Sequence, residues 1–445
     1  MSKPIVAVVG RANVGKSTLF NALAGSNLSI VKDTPGVTRD RIYADCDWEG
    51  RSFMLIDTGG IEPESEDVIL KQMRRQAELA VEMADVIIFM LDTKDGLTEI
   101  DWQVADMLRR SHKPVVLCAN KCDNYKKQVN DTYEFYNLGL GDPVAVSAVS
   151  RLGMGDLLEE VVKYFPEGGE EKVEDDSVKI AVVGRPNAGK SSIVNKLLGE
   201  ERMIVSDVAG TTRDAVDAVV VHNKQKYTFI DTAGLRRKSK IKEDLERYSI
   251  IRAVAAIERA DIVVLVIDAV NGVGEQDAKI AGIGHERGKG LIIVVNKWDA
   301  VPEKDDHTMN KFTKELRSKF PFAQYANIMY VSAMTGQRLI KLYDEIDKVR
   351  ANQNLRIQTG VLNEIVSEAT ALMAPPSDKG KRLRIYYTTQ VSVLPPTFIF
   401  FVNDKELYHF SYQRYIENRI REAYGFQGTP IHFIIRERSE KEQDE

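Results

Sequence analysis

Short apolar runs alternate with stretches of helical periodicity along most of the chain, and the alternation is stated twice. In the first statement, residues 5–9, 53–56, 86–91, 115–119 and 144–146 read as strands. Residues 16–23, 67–82, 101–110 and 154–164, between or after them, read as helices. The order predicts a mostly parallel, three-layer α/β domain over residues 1–166. Its ligand loops should lie beyond the carboxyl ends of the strands. The second statement places strands at 179–183, 227–230, 262–267, 291–295 and 328–331, within a domain spanning 178–350. Between the two, residues 167–177 hold two glycines and six acids and have little to bury. They read as a flexible acidic linker that lets the flanking domains change their relative placement.

From residue 351 the pattern changes. A helix over 360–374, strands over 383–391 and 397–402, a helix over 411–424 and a last strand over 431–435 predict a small α+β domain, 351–436. Residues 437–445 alternate charges without an apolar stripe and read as a solvated tail.

The duplication extends to the polar residues. One interval carries Gly10 onto Gly184, Thr38-Arg39-Asp40 onto Thr212-Arg213-Asp214, and Asp57-Thr58-Gly59-Gly60 onto Asp231-Thr232-Ala233-Gly234. A whole domain is repeated, not a motif. Gly10-Arg11-Ala12-Asn13-Val14-Gly15-Lys16-Ser17 and Gly184-Arg185-Pro186-Asn187-Ala188-Gly189-Lys190-Ser191 each join an apolar strand to a helix. A glycine-rich turn can link any strand to any helix, but the eight-residue match in this setting reads as a P-loop. Its backbone N–H groups can surround a polyphosphate. Lys16 and Lys190 bring charge to the outer phosphates, and Ser17 and Ser191 can ligate Mg2+.

Asp57 and Asp231 follow apolar strands, where a carboxylate can hold Mg2+ through water. Gly60 and Gly234, beside Ile61 and Leu235, can offer a backbone N–H to the terminal phosphate, and Thr38 and Thr212 can close over that phosphate and Mg2+. Alone, Asp-x-x-Gly is a common turn; its place after the right strand gives it meaning. Asn120-Lys121-Cys122-Asp123 and Asn296-Lys297-Trp298-Asp299 also follow apolar strands. A carboxylate there accepts from the N1–H and exocyclic amine of guanine, whereas adenine would leave it unpaired. Ser147-Ala148 and Ser332-Ala333 supply backbone contacts to the guanine O6, a reading that only their order supports. The expected reaction is GTP plus water to GDP plus phosphate at two sites, with charge stabilisation by Lys16 and Lys190 and no side-chain general base.

Length and charge refine this picture. At 445 residues, the chain exceeds one core. A formal charge of -5 argues against nucleic-acid binding by the whole surface, not against a local basic face. Such a face is offered by Arg236, Arg237, Lys238, Lys240 and Lys242 after Gly234, where the first copy has Glu62, Glu64, Glu66 and Asp67. The basic run fits RNA phosphate or the C-terminal domain; a solvated run is the alternative. No apolar stretch approaches the ~20 residues that span a bilayer and no cleavage signal follows the first strand, so a cytoplasmic protein is expected. Cys46, Cys118 and Cys122 read as reduced, structural thiols.

Together these motifs, twice in order and followed by a small domain, resemble the Der family, also called EngA, of tandem-domain bacterial ribosome-biogenesis GTPases. The resemblance covers nearly the whole chain. It implies a KH-like third domain, a monomer, and as partners the large (50S) ribosomal subunit or its precursor, rRNA and ribosomal proteins, with no membrane. Ile61 and Leu235 stand where many small GTPases place a water-positioning glutamine. Asn13 and Asn187 match the asparagine that coordinates K+ in related GTPases; bracing of the loop is the plainer alternative. The Gly-x-x-Gly clamp of an ordinary KH domain is not expected in 351–436. Lys379, Lys381, Arg382, Arg384, Arg414, Arg419 and Arg421 supply charge, and most of Tyr386, Tyr387, Phe398, Phe400 and Phe401 are expected in the core. A signalling or scaffold switch that binds a protein through the C-terminal domain is the competing reading; a basic patch shared by the last two domains would favour RNA, a neutral apolar groove the scaffold.

Overall fold

The computed structural model describes residues 3–24, 43–59, 66–123, 129–165, 177–200, 217–232, 245–302, 304–305, 307–378 and 380–437. They fall into two compact units.

The first unit is built on β1 (Ile5–Val9), β2 (Tyr43–Trp48), β3 (Arg51–Asp57), β4 (Val86–Asp92), β5 (Val115–Asn120) and β6 (Pro143–Ala145). Their order across the sheet is β2-β3-β1-β4-β5-β6, parallel except for β2 against β3. Every residue of β1, β4 and β5 is buried, which is why these strands are unbroken apolar runs: helices cover both faces. Those helices are Lys16–Ala24, Glu66–Met83, Glu99–Ser111 and Met154–Val162. Strand β2 is absent from the sequence expectation because it carries no apolar run. It is an edge strand of mostly half-buried residues, with Cys46 alone fully inside.

In the second unit, β7 (Val178–Val183), β8 (Ala218–His222), β9 (Gln225–Ile230), β10 (Ile262–Asp268), β11 (Gly290–Asn296) and β12 (Asn327–Tyr330) take the order β12-β11-β10-β7-β9-β8, the first sheet over again. Again the edge strand is antiparallel, β8 against β9, and it is absent from the sequence expectation although its residues 218–221 are an apolar Ala-Val-Val-Val run.

The last domain follows within this unit. After a two-residue hairpin, β13 (Ser377–Asp378) and β14 (Lys381–Arg382), strands β15 (Ile385–Val393), β16 (Pro396–Val402) and β17 (His432–Glu437) form a sheet in that order, with β15 antiparallel and β17 parallel to β16. Helix Thr359–Leu372 presents Leu362, Val366 and Ala369 to the core at i, i+4 and i+7; helix Phe410–Tyr424 presents Tyr412, Ile416 and Ile420 at i, i+4 and i+8. Phe398 and Phe400 are fully buried between them, each worth about 1.5–3 kcal/mol of apolar burial. The expectation that most of the five aromatic residues are core is corrected here: Tyr386 and Tyr387 are exposed and Phe401 is half-buried. A register shift in β15 between Ile385 and Tyr387 breaks the alternation, so consecutive tyrosines both reach solvent. Strand β17 extends to Glu437, and the tail beyond it lies outside the described residues.

Candidate functional site

In each repeat the phosphate loop leaves the carboxyl end of a central strand, β1 or β7, and enters helix Lys16–Ala24 or Lys190–Glu200. Two matching positions in each copy take left-handed backbone: φ is 63° at Asn13 and 99° at Gly15, 62° at Asn187 and 95° at Gly189; the second copy adds Gly184 at 141°. Glycine is required at the second matching position for another reason as well. A Cβ on Gly15 would lie 2.4 Å from Asn120 Nδ2, and one on Gly189 would lie 2.1 Å from Asn296 Nδ2.

Lys16 Nζ donates to the carbonyl oxygens of Gly10 and Arg11, each at 2.7 Å. Lys190 Nζ repeats this on Gly184 at 2.8 Å and Arg185 at 2.7 Å. Burial pushes both ammonium groups down to about 8; Asp57 partly opposes the shift at the first and Asp277 at the second. Each lysine is thus a desolvated cation held across the mouth of its loop.

The Ser17 hydroxyl donates to Asp57 Oδ2 at 3.1 Å, and Asp57 Oδ1 accepts from the Gly59 N–H at 2.8 Å. Thr58 is turned away, its hydroxyl bonded to the Val8 carbonyl at 2.5 Å. The second copy differs. Asp231 has φ 57° and its N–H donates to Asp217 Oδ1 at 2.9 Å, while Asp217 is ion-paired to Arg259. Thr232 is buried as Thr58 is. Thr38, Gly60, Ile61, Thr212, Ala233, Gly234 and Leu235 lie outside the described residues, as do the acidic residues Glu62 and Glu64 and the basic run from Arg236 to Lys242.

The base-recognition motifs sit at the ends of β5 and β11. Asn120 Nδ2 donates to the Val14 carbonyl at 2.7 Å and its Oδ1 accepts from the Ala148 N–H at 2.9 Å. Asn296 does the same with Ala188 at 2.9 Å and Ala333 at 3.0 Å. Asp123 is exposed and accepts from Lys94 Nζ and the Ser147 hydroxyl, both at 2.8 Å; these bonds hold its carboxyl below the usual range. Asp299 is exposed, and Ser332 is buried with its hydroxyl accepting from the Thr335 N–H at 3.1 Å. The third residues of the two motifs point inward: Cys122 is buried with its thiol donating to the Ala119 carbonyl, and Trp298 packs edge-on against Tyr330 at 4.5 Å. They support the loop from below.

Two pairs of carboxylates beside the expected site residues escaped the sequence reading. Lys121 Nζ lies 2.5 Å from Asp92 Oδ2, and Lys297 Nζ lies 2.6 Å from Asp268 Oδ2. Burial works against ionisation of Asp92 and Asp268, yet the lysine bonds keep both below the usual carboxylate range. Arg11 and Arg185 reach sideways to Asp101 and Asp277 in the first turns of helices Glu99–Ser111 and Glu275–Glu286. A signal existed: each of Asp92 and Asp268 closes an apolar run in both copies of the repeat.

The last domain also corrects an expectation. Gly425-Phe426-Gln427-Gly428 does carry Gly-x-x-Gly spacing. Its backbone, however, is joined to the second repeat: Gly428 N–H donates to the Tyr325 carbonyl at 2.8 Å, the Gly428 carbonyl accepts from the Leu291 N–H at 2.7 Å, and Asn352 Nδ2 donates to the Gln427 carbonyl at 2.8 Å. The Arg421 guanidinium lies 4.8 Å over the Tyr325 ring at the same seam. Beside it runs a groove of about 840 Å3, lined by Arg317, Arg338, Lys341 and Lys348 against the single carboxylate of Glu345, with Gln427 also in its lining.

A twice-built strand, P-loop and helix with a guanine-selective loop beside it defines a tandem P-loop GTPase. A family model described as a 50S ribosome-binding GTPase matches residues 5–121 and again 179–297, and one described as the KH-domain-like C-terminal domain of EngA bacterial GTPase enzymes matches 356–436. The chain is 66% identical over 442 residues to the GTPase Der of Lachnospira eligens and 68% identical over 442 residues to that of Lachnoclostridium phytofermentans, covering 99% of this chain and 100% of each relative. The GTPase Der of Clostridium botulinum is 57% identical over 441 residues, again 99% of this chain and 100% of the relative. The chain belongs to the Der, or EngA, family of tandem-domain bacterial GTPases linked to ribosome biogenesis. Among the described residues, no helix is long and apolar enough to cross a membrane.

Proposed function

We propose that both P-loop domains hydrolyse GTP and that their nucleotide states control docking on the large ribosomal subunit or its precursor through rRNA. The observation that carries the first half is the repeated bond from Asn120 or Asn296 into the phosphate loop, which joins guanine and phosphate recognition into one unit. In this reading Lys16 and Lys190 leave the loop carbonyls for the outer phosphates, and Asp123 and Asp299 take the guanine edge. Thr38, Gly60, Thr212 and Gly234 close on the terminal phosphate, and backbone groups position the attacking water.

The Ser17 hydroxyl and Asp57 carboxylate, 3.1 Å apart, are the hard oxygen donors that suit Mg2+. Ser191 and Asp231 are their counterparts, with Thr38 and Thr212 completing the set. Bound there, Mg2+ neutralises charge on the transferred phosphoryl group. Asn13 and Asn187 stand exposed at the crest of each loop, held left-handed, where a side-chain carbonyl can serve K+. The groove, whose cations all come from the second repeat and to which the last domain brings Gln427, is cationic rather than neutral and apolar, which favours RNA over the scaffold reading.

Co-sedimentation with purified ribosomal subunits in GDP, GTP and a nonhydrolysable GTP analogue tests this, with K16A and K190A run alongside. Large-subunit binding that depends on the nucleotide is expected. Absence from every ribosomal fraction in all three nucleotides would sink the ribosomal half.

A further inference from the structure

We propose that Arg185 with Asp277, and Arg11 with Asp101, are positioning pairs that hold each phosphate loop in its nucleotide-ready shape without touching the nucleotide. The proposal rests on the GTPase reading and adds to it two carboxylates outside the recognised motifs.

Arg185 is the second residue of its loop, and it is fixed on two sides. Its carbonyl accepts the Lys190 ammonium at 2.7 Å. Its side chain leaves the loop for the start of helix Glu275–Glu286, where Nε meets Asp277 Oδ2 at 2.7 Å and Nη2 donates to the Gly272 carbonyl. When Lys190 turns to phosphate, its bond to the carbonyl goes and the side-chain anchor stays.

That anchor is rigid. Asp277 is 0% exposed, and its Oδ2 also accepts from the Gly274 N–H at 3.0 Å, so the carboxylate closes the first turn of the helix while it pairs with the arginine. Ile280, Ala281 and Ile283 bury the next two turns of the helix. The first copy has the same plan from different neighbours. Asp101, 1% exposed, accepts from Thr98 N–H at 3.0 Å and from its hydroxyl at 2.8 Å, and lies 3.7 Å from Arg11 Nε; Asp95 takes Arg11 Nη2 at 2.9 Å.

Helix capping alone accounts for the aspartates but not for the arginines. Capping needs only the residue before the helix and the carboxylate, and the two copies achieve it with Thr98 in one and Gly274 in the other. What both copies keep is a long cation running from loop position two toward a buried carboxylate, hydrogen-bonded to it in the second copy and 3.7 Å from it in the first, where the exposed Asp95 takes the hydrogen bond. A buried ion pair adds little net stability over apolar residues, yet it fixes orientation, and loss of one partner strands the other charge.

The test uses the full chain carrying K16A, so that the second site alone is read. Fluorescent-GDP affinity, GTP affinity, single-turnover hydrolysis and Tm are measured for D277N, R185Q, the double variant and I280V. Because the loop holds GDP and GTP alike, D277N should weaken both by about tenfold, with the saturating hydrolysis rate within about twofold. R185Q should match it, and the double variant should be no worse than either single one, since the two residues act as a unit. I280V, a core change in the same helix, should lower Tm and leave affinity unchanged. The proposal is overturned by D277N affinities within twofold of the parent, by multiplying effects of D277N and R185Q, or by an equal affinity loss in I280V. A parent chain that binds no guanine nucleotide would overturn the GTPase reading of this site, and the proposal with it.

Discussion

Asn120 and Val14, far apart in sequence, are hydrogen-bonded at 2.7 Å, so the loop proposed to read guanine is stitched to the P-loop proposed to hold phosphate. The other end of the Asn120 amide accepts from the Ala148 N–H. Replacing Asn120 with alanine strands a buried carbonyl and a buried N–H, each costing about 1–3 kcal/mol. GDP affinity at the first site should fall at least about tenfold, with the second site untouched. Fluorescent-GDP titration of N120A in a K190A chain reads the first site alone. Undiminished binding there would show that the stitch is dispensable.

The phosphate-loop lysines make nucleotide binding proton-linked. With Lys16 and Lys190 pushed down to about 8 by burial, the empty sites are partly neutral on the alkaline side of that value. Phosphate favours the charged form, so binding near pH 8.5 should take up a fraction of a proton per site. Calorimetry in two buffers of different ionisation heat reads this directly, and K16A should remove the contribution of the first site. For the empty protein the sign follows from the lowered value. Between about 8 and 10.5 the unfolded chain holds more protons on these lysines, so their contribution to stability rises with pH. Equal binding heats in both buffers would contradict the shifted lysines.

Much of this was legible in the sequence for a plain reason. Strands such as Val86–Asp92 and Ile262–Asp268 are buried on both faces and therefore read as unbroken apolar runs, and a P-loop must carry its residues consecutively. Edge strand Tyr43–Trp48 was not legible, because a half-buried strand needs no apolar run; Ala218–His222 does carry the run Ala-Val-Val-Val, and no physical reason hid it. Asp101 and Asp277 stayed hidden because on a helix start they look like ordinary capping residues. The turn at Gly425 to Gly428 shows the limit of motif reading from the other side. Its spacing suits a nucleic-acid clamp, while its backbone bonds go to Tyr325 and Leu291.

Cation dependence separates the two readings of Asn13 and Asn187. If they serve K+, exchanging K+ for Na+ at constant ionic strength should slow hydrolysis by more than about tenfold, a threshold well below the roughly 10³–10⁵ that an arginine finger supplies at the transition state. Alanine at both positions should erase most of the difference between the two salts. If they only brace the left-handed turn, alanine lowers activity in both salts and the ratio stays as it was. Steady-state phosphate release in matched KCl and NaCl distinguishes these outcomes.

The Gly-x-x-Gly turn yields opposite expectations for a seam and for a clamp. A Cβ on Gly428 would lie 2.3 Å from Val349 Cγ2, and φ there is 78°. Gly428→Ala therefore forces apart the last domain and helix Lys341–Gln353, at a cost above about 1 kcal/mol. Calorimetry should show a lower Tm, with the last domain melting apart from the second repeat. Gln427→Asp is the complementary variant. Its side chain is exposed, and its backbone carbonyl keeps the bond from Asn352, so docking should survive. An acid at the middle of a phosphate clamp would instead repel RNA. If the turn is a seam, Gln427→Asp keeps its Tm, and any loss of nucleotide-dependent sedimentation with the large subunit is matched by Arg338→Gln, which removes a cation from the groove that Gln427 also lines. If sedimentation is lost at unchanged Tm in Gln427→Asp but kept in Arg338→Gln, the turn is a clamp after all, and the second repeat must release it when RNA binds.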